Sequence, residues 1–98
     1  MIARMWHGVT KASDGDAYAE FLRARAVPDY MSVAGNQGVY ILRREEGERT
    51  HFMTLTFWES RAAIEQFAGK EIERAKYYEE DRQFLLEFEK NVVHYEIL

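Results

Sequence analysis

Strand, helix, strand, strand, helix, strand is the order in which local patterns follow one another along these 98 residues. It predicts an α+β, ferredoxin-like βαββαβ sandwich with a four-stranded antiparallel sheet. Three observations carry the prediction. The end segments IARMWHGVT (2–10) and NVVHYEIL (91–98) are rich in β-formers, and GVYILRR and RTHFMTLTF flank a short EEGE turn. Helical spacing appears after KASDGD and again after Trp58.

Taken in order, residues 2–10 mix β-branched and aromatic residues with polar ones and show no 3.6-residue period, so they read as a strand. Ser13 or Asp14 is the candidate N-cap of the first helix, with Asp14 and Asp16 in the first turn, where the helix dipole favours negative charge. Tyr18, Phe21, Leu22 and Arg25 follow i, i+3, i+4, i+7 and place an aromatic stripe on one side of that helix. Pro28 bends or interrupts it, having no N–H and a ring that crowds the preceding turn.

Residues 38–57 read as a hairpin in which Gly47 takes positive φ. A turn centred on Glu46-Gly47 pairs Ile41 with Phe52, Val39 with Thr54, Tyr40 with Met53 and Leu42 with His51. One face then carries Val39, Ile41, Phe52, Thr54 and Thr56, and the other Tyr40, Leu42, His51, Met53, Leu55 and Phe57. Beyond Trp58, Ser60 caps a short helix lined by Ala63, Ile64, Phe67 and Ala68, with Gly69 as its C-terminal glycine. Residues 70–88 read as mostly helical, with a break near Tyr77-Tyr78, and the closing NVVHYEIL is the fourth strand.

The chain 1–98 is expected to be a single domain. Its 13 basic and 17 acidic residues give a net charge of −4, and no basic cluster exceeds Arg43-Arg44, so a nucleic-acid partner is not expected. The absence of cysteine removes disulfides, thiolate nucleophiles and Cys-based zinc sites. No apolar run reaches signal-peptide or membrane-span length, which points to a cytoplasmic protein without a membrane partner. Two helices cover one face of a four-stranded sheet, yet the hairpin is apolar on both, so a homodimer joined sheet to sheet is expected.

His7, His51 and His94 fall in three different strands with no His-x-His or i, i+4 pair, so no metal site is expected. Each reads first as a half-buried strand histidine. His94 is the preferred candidate for a catalytic base, with His7 or Trp6 approaching it from the neighbouring first strand. Tyr77, Tyr78 and Asp81 form the second candidate cluster, in which a phenol beside a carboxylate donates a proton or orients a phenolic substrate. The Tyr77-Tyr78 pair reads first as packing that caps the sandwich at a helix break, and second as functional. Arg4 is expected to pair with Glu96 across adjacent strands, and EEDRQ to be solvated.

The βαββαβ order, FMTLTFWES running into RAAIEQFA, and the terminal VVHYEIL resemble the antibiotic biosynthesis monooxygenase-like (ABM) domains of the dimeric α+β barrel superfamily. The resemblance covers the whole chain, and its most specific element is the Trp-Glu-Ser that opens the second helix. It implies a dimer and one of several activities: cofactor-independent oxygenation of aromatic polyketides, haem degradation, or none yet assigned. Trp58 matches a tryptophan that shapes the pocket between helices and sheet. The haem-degrading branch also uses an asparagine on the first strand and a histidine on the second helix as iron ligand. Here the first strand carries Met5, Trp6 and His7, and Ser60–Ala68 has no histidine, which disfavours that branch. The expectation is therefore a small cofactor-independent monooxygenase or related oxidoreductase acting on a hydrophobic aromatic or quinone-like molecule. His94 and Tyr78 are its catalytic candidates, and Trp6, His7, Phe21, Trp58, Phe67 and Tyr77 its substrate contacts. The alternative is a non-catalytic ligand-binding or stress-response dimer of the same fold.

Overall fold

The computed structural model describes residues 1–98. Its strands are β1 (Ile2–Lys11), β2 (Asn36–Glu46), β3 (Arg49–Trp58) and β4 (Val93–Glu96), and its α-helices α1 (Gly15–Phe21), α2 (Val27–Met31) and α3 (Arg61–Ala68). The strands form one sheet in the order β2-β3-β1-β4, each pair antiparallel, as the ferredoxin-like pattern requires.

Both ends of α3 follow from local chemistry. Ser60 Oγ accepts the backbone N–H of Ala63 at 3.2 Å, and Gly69 takes φ 87° at the other end. Ala63, Ile64 and Phe67 are its buried face. The first helix is less regular. Pro28 does not stop it; instead Leu22–Ala26 widens into a π-turn and α2 resumes with the proline in its first turn, where a missing N–H costs nothing. The stripe that meets the sheet is Tyr18, Ala19, Leu22, Ala26 and Tyr30, while Arg25 is exposed.

The hairpin turn is Gly47-Glu48, flanked by the Glu46–Arg49 pair, with Gly47 at φ 60°. Ile41 therefore faces Thr54 and Leu42 faces Met53, a slip of two residues from the register expected above. A two-residue slip preserves which face each side chain occupies, so the face assignment stands. Phe52, Thr54, Thr56 and Trp58 are buried beneath the helices together with Trp6 from β1. On the opposite face Tyr40 and Tyr95 are 58% and 57% exposed, with Leu42 and Val93 also exposed beside Met53 and Leu55.

The expected helix over 70–88 does not form. Apart from a 3-10 turn at Glu79–Gln83 and a single turn in which Arg74 N–H donates to Glu71 C=O, the backbone bonds of this segment go to distant partners. Ala75 N–H donates to Lys90 C=O at 2.8 Å, Val92 N–H to Glu73 C=O at 2.7 Å, and Leu86 N–H to Val9 C=O at 2.9 Å. Arg4 is the physical reason at one end: only 2% exposed, it is not paired with Glu96 but donates to the carbonyls of Ile72 (3.5 Å) and Arg74 (2.9 Å). Asp81 is the reason at the other. Far from solvated, it is buried and accepts the Tyr18 hydroxyl at 2.8 Å and the Tyr78 backbone N–H at 2.7 Å.

Gly8 is the one strand position where a side chain has no room. A Cβ there would lie 2.2 Å from the indole of Trp6, which lies across it, and 3.1 Å from Leu85. Gly8→Ala should therefore lower stability by about 1–3 kcal/mol through overpacking, read as a lower urea midpoint at an unchanged m-value. An unchanged midpoint would mean that Trp6 does not pack there.

Candidate functional site

α2 and the irregular segment after α3 build a polar groove of about 580 Å³ that includes Arg25, Asp29, Ser32, Lys76 and Tyr78. Asp29 Oδ2 accepts two donors, the Tyr78 hydroxyl and Lys76 Nζ, the latter at 3.1 Å. The Arg25 guanidinium stands 4.9 Å from the centre of the Tyr78 ring and Lys76 Nζ 4.4 Å from that of Phe67. Phe21 meets the Tyr78 ring edge-on at 6.1 Å. The groove thus offers a phenol, a carboxylate and two cations, with aromatic rings beneath them.

The electrostatics set the protonation of each group. Burial, reinforced by the adjacent Asp29 carboxylate, pushes the Tyr78 phenol above its usual range, so it remains a donor. Burial alone would raise Asp29, but the hydrogen bonds from Tyr78 and Lys76, together with the Lys76 and Arg25 charges, hold its carboxyl below the usual range. It is ionised at neutral pH.

The two catalytic candidates line different grooves. His94 lies opposite Arg4 on the helix side of β4, in a cleft of about 470 Å³ with Glu59, Arg61, Ile72 and Glu73. His7 points to the other face and meets His51 at 3.0 Å, so the approach of His7 to His94 is not made. Tyr78 reaches Asp29 through its hydroxyl, and Asp81 only through its backbone, whose N–H donates to the carboxylate and whose C=O accepts the Asp81 N–H. Tyr77 donates to Glu89 C=O at 2.6 Å and accepts Trp6 Nε1–H at 3.3 Å.

Trp58 is 0% exposed and gives its N–H to Thr56 Oγ1 at 2.8 Å. With Trp6, Tyr18, Tyr30, Phe52 and Phe67 it fills the space between helices and sheet, while Phe21 and Tyr77 are partly buried at its margin. Asp29 and Lys76 are not singled out in the sequence, and Arg25 only as a member of the first-helix stripe. The Tyr78–Asp29 bond spans 49 residues, and its only local hint is the acid in the first turn of α2.

Burial, followed by the Arg4 charge, holds the His94 imidazole below its ordinary value despite an opposing contribution from Glu73. Because the unfolded chain binds this proton more readily, the His94 contribution is complete above about pH 6.5 and is lost as pH falls through the lower folded value. Urea titrations near pH 7.5 and pH 5 should therefore show a larger acid loss for the wild type than for His94→Gln. Equal losses would remove His94 from the acid response.

A family model described as antibiotic biosynthesis monooxygenase matches residues 6–75. No curated protein matches the chain. Among solved structures, a Nitrosomonas europaea protein named as a candidate antibiotic biosynthesis monooxygenase superposes with a TM-score of 0.71 at 17% identity, covering 100% of this chain and 99% of its own. An arginine-to-serine mutant of MhuD, with two manganese protoporphyrin IX molecules bound per active site, superposes at 0.62 and 17% identity, covering 100% and 95%. At that identity the likeness is one of fold. The family match, which spans most of the chain, all of β3 and the second half of β1, carries the assignment: this chain belongs to the antibiotic biosynthesis monooxygenase family.

Proposed function

We propose that this protein is a small cofactor-independent monooxygenase acting on an acidic, hydrophobic aromatic or quinone-like molecule in the Arg25–Asp29–Lys76–Tyr78 groove. The observation that carries the reading is that both donors to Asp29 use Oδ2, which leaves Oδ1 for a substrate proton. A carboxylate held below its usual range is a weak base, so it suits a substrate acidified by conjugation, a phenol or the CH₂ beside an aromatic ketone. Arg25 and Lys76 stabilise the anion that results. The electron-rich anion then reduces O₂. In the net reaction a CH₂ becomes C=O while O₂ supplies the carbonyl oxygen and one water, four electrons leaving the substrate carbon. Tyr78 donates a hydrogen bond throughout, and Ala24 and Pro28 are the apolar part of the groove's lining.

Haem does not fit the residues present. The helix–sheet space is filled by indole and phenyl rings, and α3 offers no histidine toward it. No step is assigned through that group.

The exposed apolar face of the sheet supports the second half of the proposal, a homodimer paired through Tyr40, Leu42, Leu55, Val93 and Tyr95. A dimer mass by light scattering at micromolar concentration is expected, and Leu55→Glu should give monomers. A monomeric wild type contradicts the dimer. The closed interior around Trp58 favours a second reading, a ligand-binding or stress-response dimer without turnover.

An oxygen electrode separates the two. With an anthrone-type phenolic ketone the oxygenase reading expects oxygen uptake, reduced about 100-fold or more in Asp29→Asn and less in Tyr78→Phe. Binding without uptake would establish the second reading instead.

A further inference from the structure

On the face of the sheet opposite the helices four side chains form an unbroken chain. Glu89 Oε2 lies 2.5 Å from His7 Nδ1, His7 Nε2 3.0 Å from His51 Nδ1, and His51 Nε2 2.9 Å from Glu46 Oε1. The β1–β3 register brings the histidines together: His7 faces Met53 and His51 faces Val9, which makes the two diagonal neighbours on one face.

Counting protons fixes the state of this chain. An ionised carboxylate only accepts, so the outer nitrogen of each imidazole, His7 Nδ1 and His51 Nε2, must carry hydrogen. The inner nitrogens then face each other with lone pairs, a repulsive contact at 3.0 Å unless a positive charge lies between them. A third proton turns it into an N–H···N bond. Three bonds over four ring nitrogens therefore need three protons, that is, one imidazolium and one imidazole.

We propose that His7 and His51 share one extra proton between Glu89 and Glu46, and that this proton fastens the segment bearing Glu89 onto the sheet. The distance favours a proton over a metal ion. The ring planes are 20° apart and their centres 5.3 Å, which is the N···N separation plus two ring radii, so the nitrogens meet head-on. A zinc ion held in line would need about 4 Å between them, from two Zn–N bonds of roughly 2.0 Å.

The surrounding charges are mixed. From β2, Arg44 lies opposite His51 and reaches Glu46 Oε2 at 3.4 Å, while Arg49 and Lys11 follow at the hairpin end. From the irregular segment come Glu89 and Tyr77, whose hydroxyl holds the Glu89 carbonyl. The two carboxylates retain the shared proton against Arg44. When it leaves, two protons remain for three contacts, and one bond is lost or becomes repulsive. The segment affected is the one in which Leu86 N–H bonds Val9 C=O and Lys90 C=O accepts Ala75 N–H, directly beyond Tyr77 and Tyr78.

This link stands independently of the reaction proposed above. Imidazole ¹⁵N NMR from about pH 5 to about pH 9 tests it on the intact chain. Three ring N–H groups should be present across the two histidines while the proton is shared, and two after the upper step in which it leaves. Amide exchange at Leu86, corrected for its intrinsic rate, should lose roughly two- to tenfold protection as the shared proton leaves, the worth of one hydrogen bond. His51→Gln should abolish that pH dependence, and Glu46→Gln, an exposed change, should move the upper step to lower pH. Independent single-step titration of each histidine, or Leu86 protection with the same pH profile in wild type and His51→Gln, would overturn the proposal.

Discussion

Asp81 is a carboxylate in the interior, and the irregular third of the chain hangs on it. Burial pushes its carboxyl above the usual range in spite of the bonds it receives from the Tyr78 backbone and the Tyr18 hydroxyl. Those two bonds join the first helix to the start of the 3-10 turn 63 residues later. Removing the acceptor would strand a hydroxyl that itself has almost no access to water, so the segment between α3 and β4 has little freedom to choose another path. Arg4 performs the opposite-sign task at Ile72 and Arg74. Between these anchors the backbone gives up its own helical bonds, and Lys76 and Tyr78 are delivered to Asp29.

That arrangement gathers the polar groups in a groove rather than a cavity. The apolar interior is committed to packing around Trp58, where even the indole N–H is used. The polar groups collect where α2 meets the irregular segment, above Phe67 and Phe21. There the Arg25 and Lys76 cations lie over the Tyr78 and Phe67 rings, beside a carboxylate bonded on one oxygen. The groove depends on the same segment that the His7–His51 chain fastens from the opposite face.

What the sequence disclosed divides along the range of the interactions. α3 was legible because its cap, its apolar face and its closing glycine lie within ten residues, Ser60 to Gly69. The two faces of the hairpin were legible although the register was off by two, because a strand repeats every two residues. The segment 70–88 was misread because its contacts are long-range: the helical-looking spacing of Ile72, Ala75, Phe84, Leu85 and Phe88 was outweighed by bonds to Arg4, Val9 and Tyr18. Tyr78 could be singled out by its residue type, but its partner Asp29, 49 residues away, could not. His7 and His51 were seen as strand histidines, but their meeting across 44 residues required the β1–β3 register.

The groove between α2 and the irregular segment is proposed as the ligand site. Backbone amide chemical-shift mapping with a hydroxylated naphthoquinone tests it without requiring turnover. The expected result is saturable shifts concentrated at Arg25, Asp29, Lys76 and Tyr78, with Phe67 and Phe21 following. Saturable shifts centred instead on His94, Arg61 and Glu73, or on the hairpin end at Lys11 and Arg49, would contradict it and move the site to one of the other clefts.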